Sequence, residues 1–151
     1  MASLSGNKIT LSPRELPSNW YNALVDMPVP LPPMMSPSGY RVTARELEPL
    51  FARPLIEQEF SKRRFIKIPG PVSGAYKQWR PTPMFRAERL ERHLGTPAKL
   101  FYKFEGGSPS GSYESNTAIA QAHYVRSDHC STILTGSAGG VWVAAPRSST
   151  I

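Results

Sequence analysis

The distribution of proline constrains this chain more than any other feature of its sequence. Sixteen of the 151 residues are proline, and eleven of these fall within residues 13–71. Proline fixes its φ angle and has no amide hydrogen to donate, so long helices and central strands are disfavoured where prolines are dense. Residues 27–37 contain five prolines and must be extended. We predict an N-terminal arm over residues 1–42 that lies across a larger body, with a polyproline ligand as the alternative.

The chain is basic, but its charge is not concentrated. The formal net charge is +7; residues 1–75 contain 9 Lys+Arg against 6 Asp+Glu, and residues 76–151 contain 9 against 5. The one tight basic run is Lys62-Arg63-Arg64. A phosphate-binding surface needs several cations on one face. We therefore predict no nucleic-acid partner.

The lengths of the apolar runs and the spacing of cysteine and histidine exclude several classes of protein. No apolar run approaches the ~20 residues of a membrane span, and residues 1–8 show no secretory signal. Cys130 is the single cysteine, which excludes an internal disulfide and a cysteine-rich zinc site. His93, His123 and His129 have no paired-ligand spacing. We expect a cytoplasmic protein with no membrane partner and no metal.

Local signals predict several short elements in residues 43–81. Two short helices are expected within residues 43–60. Thr43 and Glu46 can form a capping box at the start of the first helix, and Pro54 is suited to the first turn of the second. Residues 65–69 alternate apolar and polar side chains, which is typical of a strand. Residues 69–81 contain two prolines and two glycines before Pro81 and are predicted to be a connection.

The second half alternates helix and strand signals. Thr82-Pro83 resembles a helix start and Gly95 a helix end, so a helix is predicted between them. Residues 99–105 and 131–135 are predicted strands, each followed by a loop rich in glycine. This order is that of a parallel α/β sheet, and loops at strand ends can present amide groups to anions. A helix should follow the first loop, with these residues on its apolar face: Ala118, Ile119, Ala122 and Val125.

Short motifs along most of the chain resemble one family. The segment at residues 80–99 is similar to tryptophan synthase beta chains, and in particular to their second, alpha-independent type. The resemblance covers approximately residues 16–142 and rests also on these motifs: Leu16-Pro17, Trp20-Tyr21-Asn22, Pro30-Leu-Pro-Pro33, Gln58-Glu-Phe60, Phe65-Ile-Lys-Ile-Pro69, Tyr102-Lys-Phe-Glu-Gly106, Ser108-Pro109, Gly111-Ser112 and Asn116-Thr-Ala-Ile-Ala-Gln-Ala122.

The resemblance implies a fold and a reaction. Such chains are fold type II pyridoxal phosphate enzymes, so it implies an α/β fold in which an N-terminal arm precedes a three-layer parallel-sheet domain. It implies pyridoxal phosphate as cofactor and a lyase of tryptophan biosynthesis that joins L-serine and indole by β-replacement. Full-length relatives continue well beyond the length of this chain, so only an N-terminal portion of the domain is expected here.

One position departs from the family at the centre of its chemistry. The family motif is Gly-Ser-His-Lys-x-Asn-Thr, and its lysine forms the Schiff base with pyridoxal phosphate. Residues 111–117 read Gly-Ser-Tyr-Glu-Ser-Asn-Thr, which puts Glu114 at the lysine position. A carboxylate cannot form an imine with an aldehyde. The resemblance places Tyr113, Glu114 and Asn116 at the cofactor, and we predict that the cofactor is not covalently bound.

The second glycine loop also differs from the family's sequence. The family's Thr-Glu-Thr-Gly-Ala-Gly-Gln-Trp-Gly aligns with residues 135–143, so its acid–base glutamate becomes Gly136; a shift of one residue would place Leu134 there. Neither alignment retains a catalytic carboxylate. The resemblance assigns the substrate-carboxylate loop to Thr135, Gly136, Ser137, Ala138, Gly139 and Gly140.

These expectations combine into one hypothesis. The chain is divided into an arm at 1–42, a small helical and strand region at 43–79 and an incomplete pyridoxal-phosphate-type domain at 80–151. We predict a truncated tryptophan synthase beta-like protein that is inactive by itself. The alternative is a non-catalytic binding or regulatory partner of a full-length homologue. Apolar residues of the strands, such as Phe101 and Tyr102, predict a homo-oligomer or a complex with that homologue.

Overall fold

A computed structural model of the chain describes residues 3–129. They form a mixed α/β structure of short elements joined by irregular segments. None of the described helices is both long enough and apolar enough to cross a membrane. In chain order the elements are β1 (Ser3–Ser5), β2 (Lys8–Thr10), β3 (Asn19–Tyr21), α1 (Ala44–Leu47), α2 (Arg53–Glu59), β4 (Phe65–Lys67), α3 (Gly70–Tyr76), β5 (Met84–Arg86), α4 (Glu88–Leu94), β6 (Phe101–Lys103) and α5 (Glu114–Ser127), with short 3-10 turns at Pro13–Glu15 and Ala23–Asp26.

Two antiparallel sheets organise the described residues. The larger has the strand order β1-β2-β5-β6, and the smaller pairs β3 with β4. In the larger sheet Met84 of β5 lies opposite Lys103 of β6, and Arg86 lies opposite Phe101. All strand pairs within residues 3–129 are antiparallel. The prediction of a parallel sheet is therefore wrong for the described strands, and the predicted strand at 131–135 lies outside them.

The connection between β5 and β6 explains the antiparallel pairing. The amide of Ala87 donates to the carbonyl oxygen of Leu100 at 2.8 Å, which brings the two ends of the connection together at one end of the sheet. A parallel pair requires the chain to return along the full strand length before it re-enters the sheet. The chain therefore enters β6 beside the point at which it left β5, and the two strands run in opposite directions.

The predicted helix from Thr82 to Gly95 is wrong in its first half. Residues 84–86 form β5, which pairs with β2 on one side and β6 on the other. Thr82 is buried, and its hydroxyl donates to a Glu105 carboxylate oxygen at 2.6 Å instead of capping a helix. Hydrogen bonds to two neighbouring strands outweigh the local helix-start signal of Thr82-Pro83. The end is as predicted, since α4 stops before Gly95, whose φ is +57°.

A second difference concerns residues 69–81, for which the sequence predicts a connection without regular structure. Gly70–Tyr76 forms α3, and Pro71 occupies its first turn, where a missing amide hydrogen costs nothing. Val72, Ala75 and Tyr76 are buried and share one face of this helix. With Ile68 and Ile119 they form the hydrophobic core, against which Trp20, Trp79 and Ala120 pack. The helix is stabilised by this burial rather than by its composition.

Other local predictions are confirmed. The two short helices α1 and α2 lie within residues 43–60, and Thr43 and Glu46 form the expected capping box, with the Thr43 amide donating to the Glu46 carboxylate at 2.8 Å. Strands β4 and β6 lie within the predicted ranges, although each is only three residues long. Helix α5 follows the first glycine loop, and its Ala118 and Ile119 are buried.

Part of the proline-rich arm is integrated into the sheets. Strand β2 extends the larger sheet by pairing with β5, and β3 pairs with β4 so that Trp20 lies opposite Ile66. The side-chain amide of Asn22 donates to the carbonyl oxygen of Ser61 at 2.9 Å. The Trp20 ring packs against the hydrophobic core. In contrast, Val29 and other apolar side chains of the proline-dense stretch are largely exposed.

Candidate functional site

The position of the family's lysine lies where the first glycine loop meets α5. The loop is closed by its own serines: the Ser108 hydroxyl donates to the Ser112 carbonyl oxygen at 2.6 Å, and the Ser112 amide donates to the Ser108 hydroxyl at 2.9 Å. Ser115 is completely buried and contacts the Ser110 hydroxyl at 2.5 Å. Gly111 has a φ of +68°, a conformation that favours glycine. This internal bonding fixes the start of α5.

Glu114 is the first residue of α5 and is half-buried. One of its carboxylate oxygens, Oε2, is buried and has no hydrogen-bond partner among the described residues. Its backbone amide donates to the Ser112 hydroxyl at 3.3 Å. A carboxylate offers only acceptors, so this position can receive an N–H or O–H group but cannot supply an amine.

Asn116 lies in the first turn of the same helix and touches the core. Its backbone carbonyl accepts a hydrogen bond from the Tyr76 hydroxyl, and its Nδ2 lies 3.5 Å from a Glu105 carboxylate oxygen. Its Oδ1 is buried without a partner in the described part of the chain. Tyr113, by contrast, is 67% exposed and is directed away from this interior. The structure therefore brings Glu114 and Asn116 into partly buried surroundings but not Tyr113.

The charged side chains of Glu105 and Lys103 already have hydrogen-bond partners within the chain. Glu105 accepts the hydroxyl of Thr82, and the Lys103 ammonium donates to the Thr82 carbonyl oxygen. Lys103 is thus held at the end of β6 by a backbone group. Glu105 links Thr82 to Asn116, and the Lys103 ammonium is directed to the Thr82 backbone. These residues do not fit a covalent pyridoxal phosphate site, because imine formation requires a primary amine at Glu114.

Other predicted site residues can be placed only in part. The substrate-carboxylate loop from Thr135 to Gly140 lies outside the described residues, as does Cys130. His93 and His129 are exposed, and His123 stacks edge-on against Tyr124 with ring centroids 5.4 Å apart. Within residues 3–129 no group of three or more His, Cys, Asp or Glu side chains is arranged to hold a metal ion.

Sequence reasoning missed a cleft beside the core. It has a volume of about 410 Å³ and is lined by residues from β3, α2, α3, the segment after α3, and α5. Three aromatic rings face it, those of Trp20, Tyr76 and Tyr124, together with Arg80 and Asn116. Burial raises the pKa of both tyrosine hydroxyls. Because its lining residues are far apart in sequence, no local motif could reveal the cleft.

The chain is similar to curated proteins that share one name. Tryptophan synthase beta chain 2 of Methanosarcina mazei is 45% identical over 139 residues, which are 91% of this chain and 31% of that protein. The chain of the same name from Thermotoga maritima is 44% identical over 138 residues, 91% of this chain and 33% of its own length. The chain of the same name from Methanothermobacter thermautotrophicus is 47% identical over 137 residues, which are 90% of this chain and 32% of that protein.

No model of a protein family matches the chain. The chain spans about a third of the length of the curated relatives it matches. Identity of this level over nine-tenths of the chain confirms the resemblance read from its motifs. The chain is therefore homologous to tryptophan synthase beta chains of the second type, along nearly all of its own length and about a third of theirs.

Proposed function

We propose that this chain is a tryptophan synthase beta-like protein that does not form the covalent link to pyridoxal phosphate on which the family's joining of L-serine and indole depends. The observation that carries the proposal is Glu114 at the lysine position of the family motif. Its half-buried carboxylate at the start of α5 offers acceptors where an amine is required. The chemistry of residue 114 carries the proposal whatever the length of the chain.

The surroundings of Glu114 support the proposal. A substitute amine would have to come from a nearby lysine, and Lys103 is the candidate on the strand that precedes the loop. Its ammonium group donates to the carbonyl oxygen of Thr82, which lies just before β5. The start of α5 is also favourable for a negative charge, because the amide dipoles of a helix place partial positive charge there. Glu114 therefore stabilises the helix at the position where the family's chemistry needs lysine.

Reductive trapping tests the proposal. The full chain is mixed with pyridoxal phosphate and reduced with borohydride, which converts any imine to a stable secondary amine that mass spectrometry locates. We expect no stoichiometric pyridoxyl-lysine in the native chain. Stoichiometric labelling of one lysine, Lys103 included, would contradict the proposal.

Two variants calibrate this experiment. Glu114→Lys supplies the amine, so labelling is expected at the substituted position, whereas Glu114→Gln removes the charge without adding an amine and should stay unlabelled. Neither variant is expected to make tryptophan from serine and indole, since either alignment of the second glycine loop, with Gly136 or Leu134 at the position of the family's acid–base glutamate, lacks a carboxylate there. Tryptophan formation by the native chain would overturn the proposed loss of catalysis.

A second candidate function is that of a non-catalytic partner of a full-length homologue. The observation that favours it is β6, which forms one edge of the larger sheet within the described residues. The side chains of Phe101 and Tyr102 in this strand are 44% and 52% exposed. Edge strands with apolar side chains present unpaired backbone groups to other chains. Such an edge is suited to pairing with a strand of a homologous chain.

A further inference from the structure

One face of the larger sheet carries three aromatic rings in contact. Phe85 of β5 lies opposite Tyr102 of β6, and their ring centroids are 5.6 Å apart with the planes inclined at 23°. Phe104, which follows β6, meets Phe85 edge-on at 6.2 Å. Lys8 of β2 also lies opposite Phe85, with its ammonium group 5.8 Å from the centre of that ring. Because opposite residues on neighbouring strands project to the same side, these four side chains form one surface, the aromatic face.

The aromatic face is open to contact. Tyr102 and Phe104 are 52% and 48% exposed, and Phe85 is half-buried. Helix α4 lies on the other side of the sheet, because Arg86 follows Phe85 in the strand and its guanidinium donates to Glu91 of α4 at 2.9 Å. Surfaces lined by aromatic rings are those on which extended polyproline II segments dock.

Residues 28–35 of the arm, the proline segment, have the complementary chemistry. Pro30-Leu-Pro-Pro33 contains two prolines three residues apart, which places them on one side of a polyproline II helix, about 9 Å from each other. Val29 and Leu31 are 71% and 59% exposed. The Val42 amide donates to the carbonyl oxygen of Met34 at 2.8 Å and so holds the end of the segment. A segment that is extended and held in this way loses little freedom when it binds.

Charge and exposure favour a second copy of the chain as the partner. Residues 27–40 contain no charged side chain. The proline segment can therefore approach Lys8 of another copy without local repulsion, although each chain has a net charge of +7. Within one molecule the segment does not cover the aromatic face, since both surfaces are exposed together. Each copy thus offers both halves of the same contact.

The area of these surfaces favours a reciprocal contact. Half of an aromatic side chain is about 100 Å², so the aromatic face offers about 250 Å² and one contact buries about 500 Å² over both partners. A single contact of this size is too small for a specific interface. Two reciprocal contacts bury about 1,000 Å², which is the least that such an interface needs.

We propose that two copies of the chain exchange their proline segments, so that the segment of each lies on the aromatic face of the other. Pro30 and Pro33 pack against the rings of Tyr102 and Phe104. Neither surface includes Glu114, so this contact goes beyond the proposed function and does not depend on the loss of the Schiff base. It also differs from pairing at the edge of β6, which uses backbone groups rather than the face of the sheet.

Titration of one fluorescently labelled full chain with another tests the exchange. An arm variant carries Pro30→Ala and Pro33→Ala, and a face variant carries Tyr102→Thr, which removes a ring but keeps a residue suited to a strand. Native copies form both contacts and should bind most tightly. The mixed pair keeps one contact, the intact segment of the face variant on the intact face of the arm variant, and should bind about tenfold more weakly. Each variant with itself has neither contact and should bind about tenfold more weakly again.

Controls separate the exchange from other causes. The arm substitutions are at exposed positions, so thermal unfolding of that variant should match that of the native chain. Pro97→Ala removes an exposed proline outside the proline segment and should leave every affinity unchanged. Native copies that do not bind each other would overturn the proposal, as would a mixed pair that binds no more tightly than the arm variant binds itself. Equal affinity in all four pairings would also overturn it and would assign association to the edge of β6.

Discussion

At the scale of single residues, Glu91 illustrates a buried charge that is fully partnered. It is 9% exposed, and its carboxylate accepts two hydrogen bonds from the Arg86 guanidinium, at 2.9 and 3.1 Å. The Leu100 amide donates to the same carboxylate at 2.7 Å. The hydrogen bonds from Arg86, followed by that from Leu100, lower the pKa of Glu91 below its usual value of 4.5. Glu91 thereby ties α4 to Arg86 of β5 and to Leu100, the residue before β6.

Replacing this carboxylate gives a pH-dependent prediction. The pKa of the Glu91 carboxyl group is lower in the folded chain than in the unfolded chain. The ionised carboxylate therefore contributes its full stabilisation at pH values above the unfolded-state pKa, and this stabilisation is lost as the pH falls through the folded-state pKa. Glu91→Gln should therefore lower the free energy of unfolding at about pH 7, and the difference from the native chain should shrink at about pH 3. Urea unfolding of both chains at the two pH values measures this difference in the free energy of unfolding.

Glu88→Gln is the matched control for this prediction. Glu88 also reaches Arg86, but at 3.6 Å and with a side chain that is 42% exposed. Exposed ion pairs contribute little to stability. A loss in Glu88→Gln as large as that in Glu91→Gln, or a Glu91→Gln difference that does not depend on pH, would contradict the role given to Glu91.

At the scale of elements, a glycine that ends one helix and a glycine inside another should respond oppositely to the same substitution. Gly95 ends α4 with a φ of +57°, which an L-residue adopts only with strain, so Gly95→Ala should destabilise the chain by about 1 kcal/mol. Gly74 lies within α3, and an added Cβ would meet no atom within 4 Å beyond its chain neighbours and the backbone of its own helix. Gly74→Ala should stabilise the chain by about 0.5–1 kcal/mol. Chemical unfolding of both variants checks the signs, and two shifts of equal sign would contradict them.

At the scale of the whole molecule, the distribution of apolar surface predicts association. Val29 and Leu50 are 71% and 74% exposed, and β6 presents Phe101 and Tyr102 at a sheet edge within the described residues. We expect the full chain to self-associate, or to form a stable complex with a full-length homologue, at micromolar concentration. Sedimentation and light scattering measure the mass, and hydrogen exchange reports on the amides of residues 99–105.

A charge on the edge strand should weaken this association. Phe101→Lys places a lysine where natural edge strands commonly carry one to prevent pairing, so the measured mass should fall towards that of the monomer. Gln78→Lys adds the same charge at an exposed position outside the sheet and should have no such effect. A native chain that is a cooperative monomer with strongly protected amides along β6 would contradict the prediction and favour an autonomous domain.

The amino-acid sequence by itself determined the features that depend on few neighbouring residues. The capping box of Thr43 and Glu46, the end of α4 at Gly95 and the strand at Phe65–Lys67 follow from spacing and residue type, because caps, turns and strand alternation act over a few positions. The same holds for the resemblance to tryptophan synthase beta chains, and for the loss of an amine at Glu114, which is a matter of residue identity.

Only the tertiary structure decided the features that depend on distant partners. Residues 84–86 form a strand because β2 and β6 supply hydrogen bonds on both sides, and Gly70–Tyr76 forms a helix because the core buries one of its faces. The cleft brings together residues that are far apart in the sequence, among them Trp20, Tyr76 and Tyr124. Local propensities amount to fractions of a kcal/mol per residue, which burial and strand pairing across the fold readily exceed.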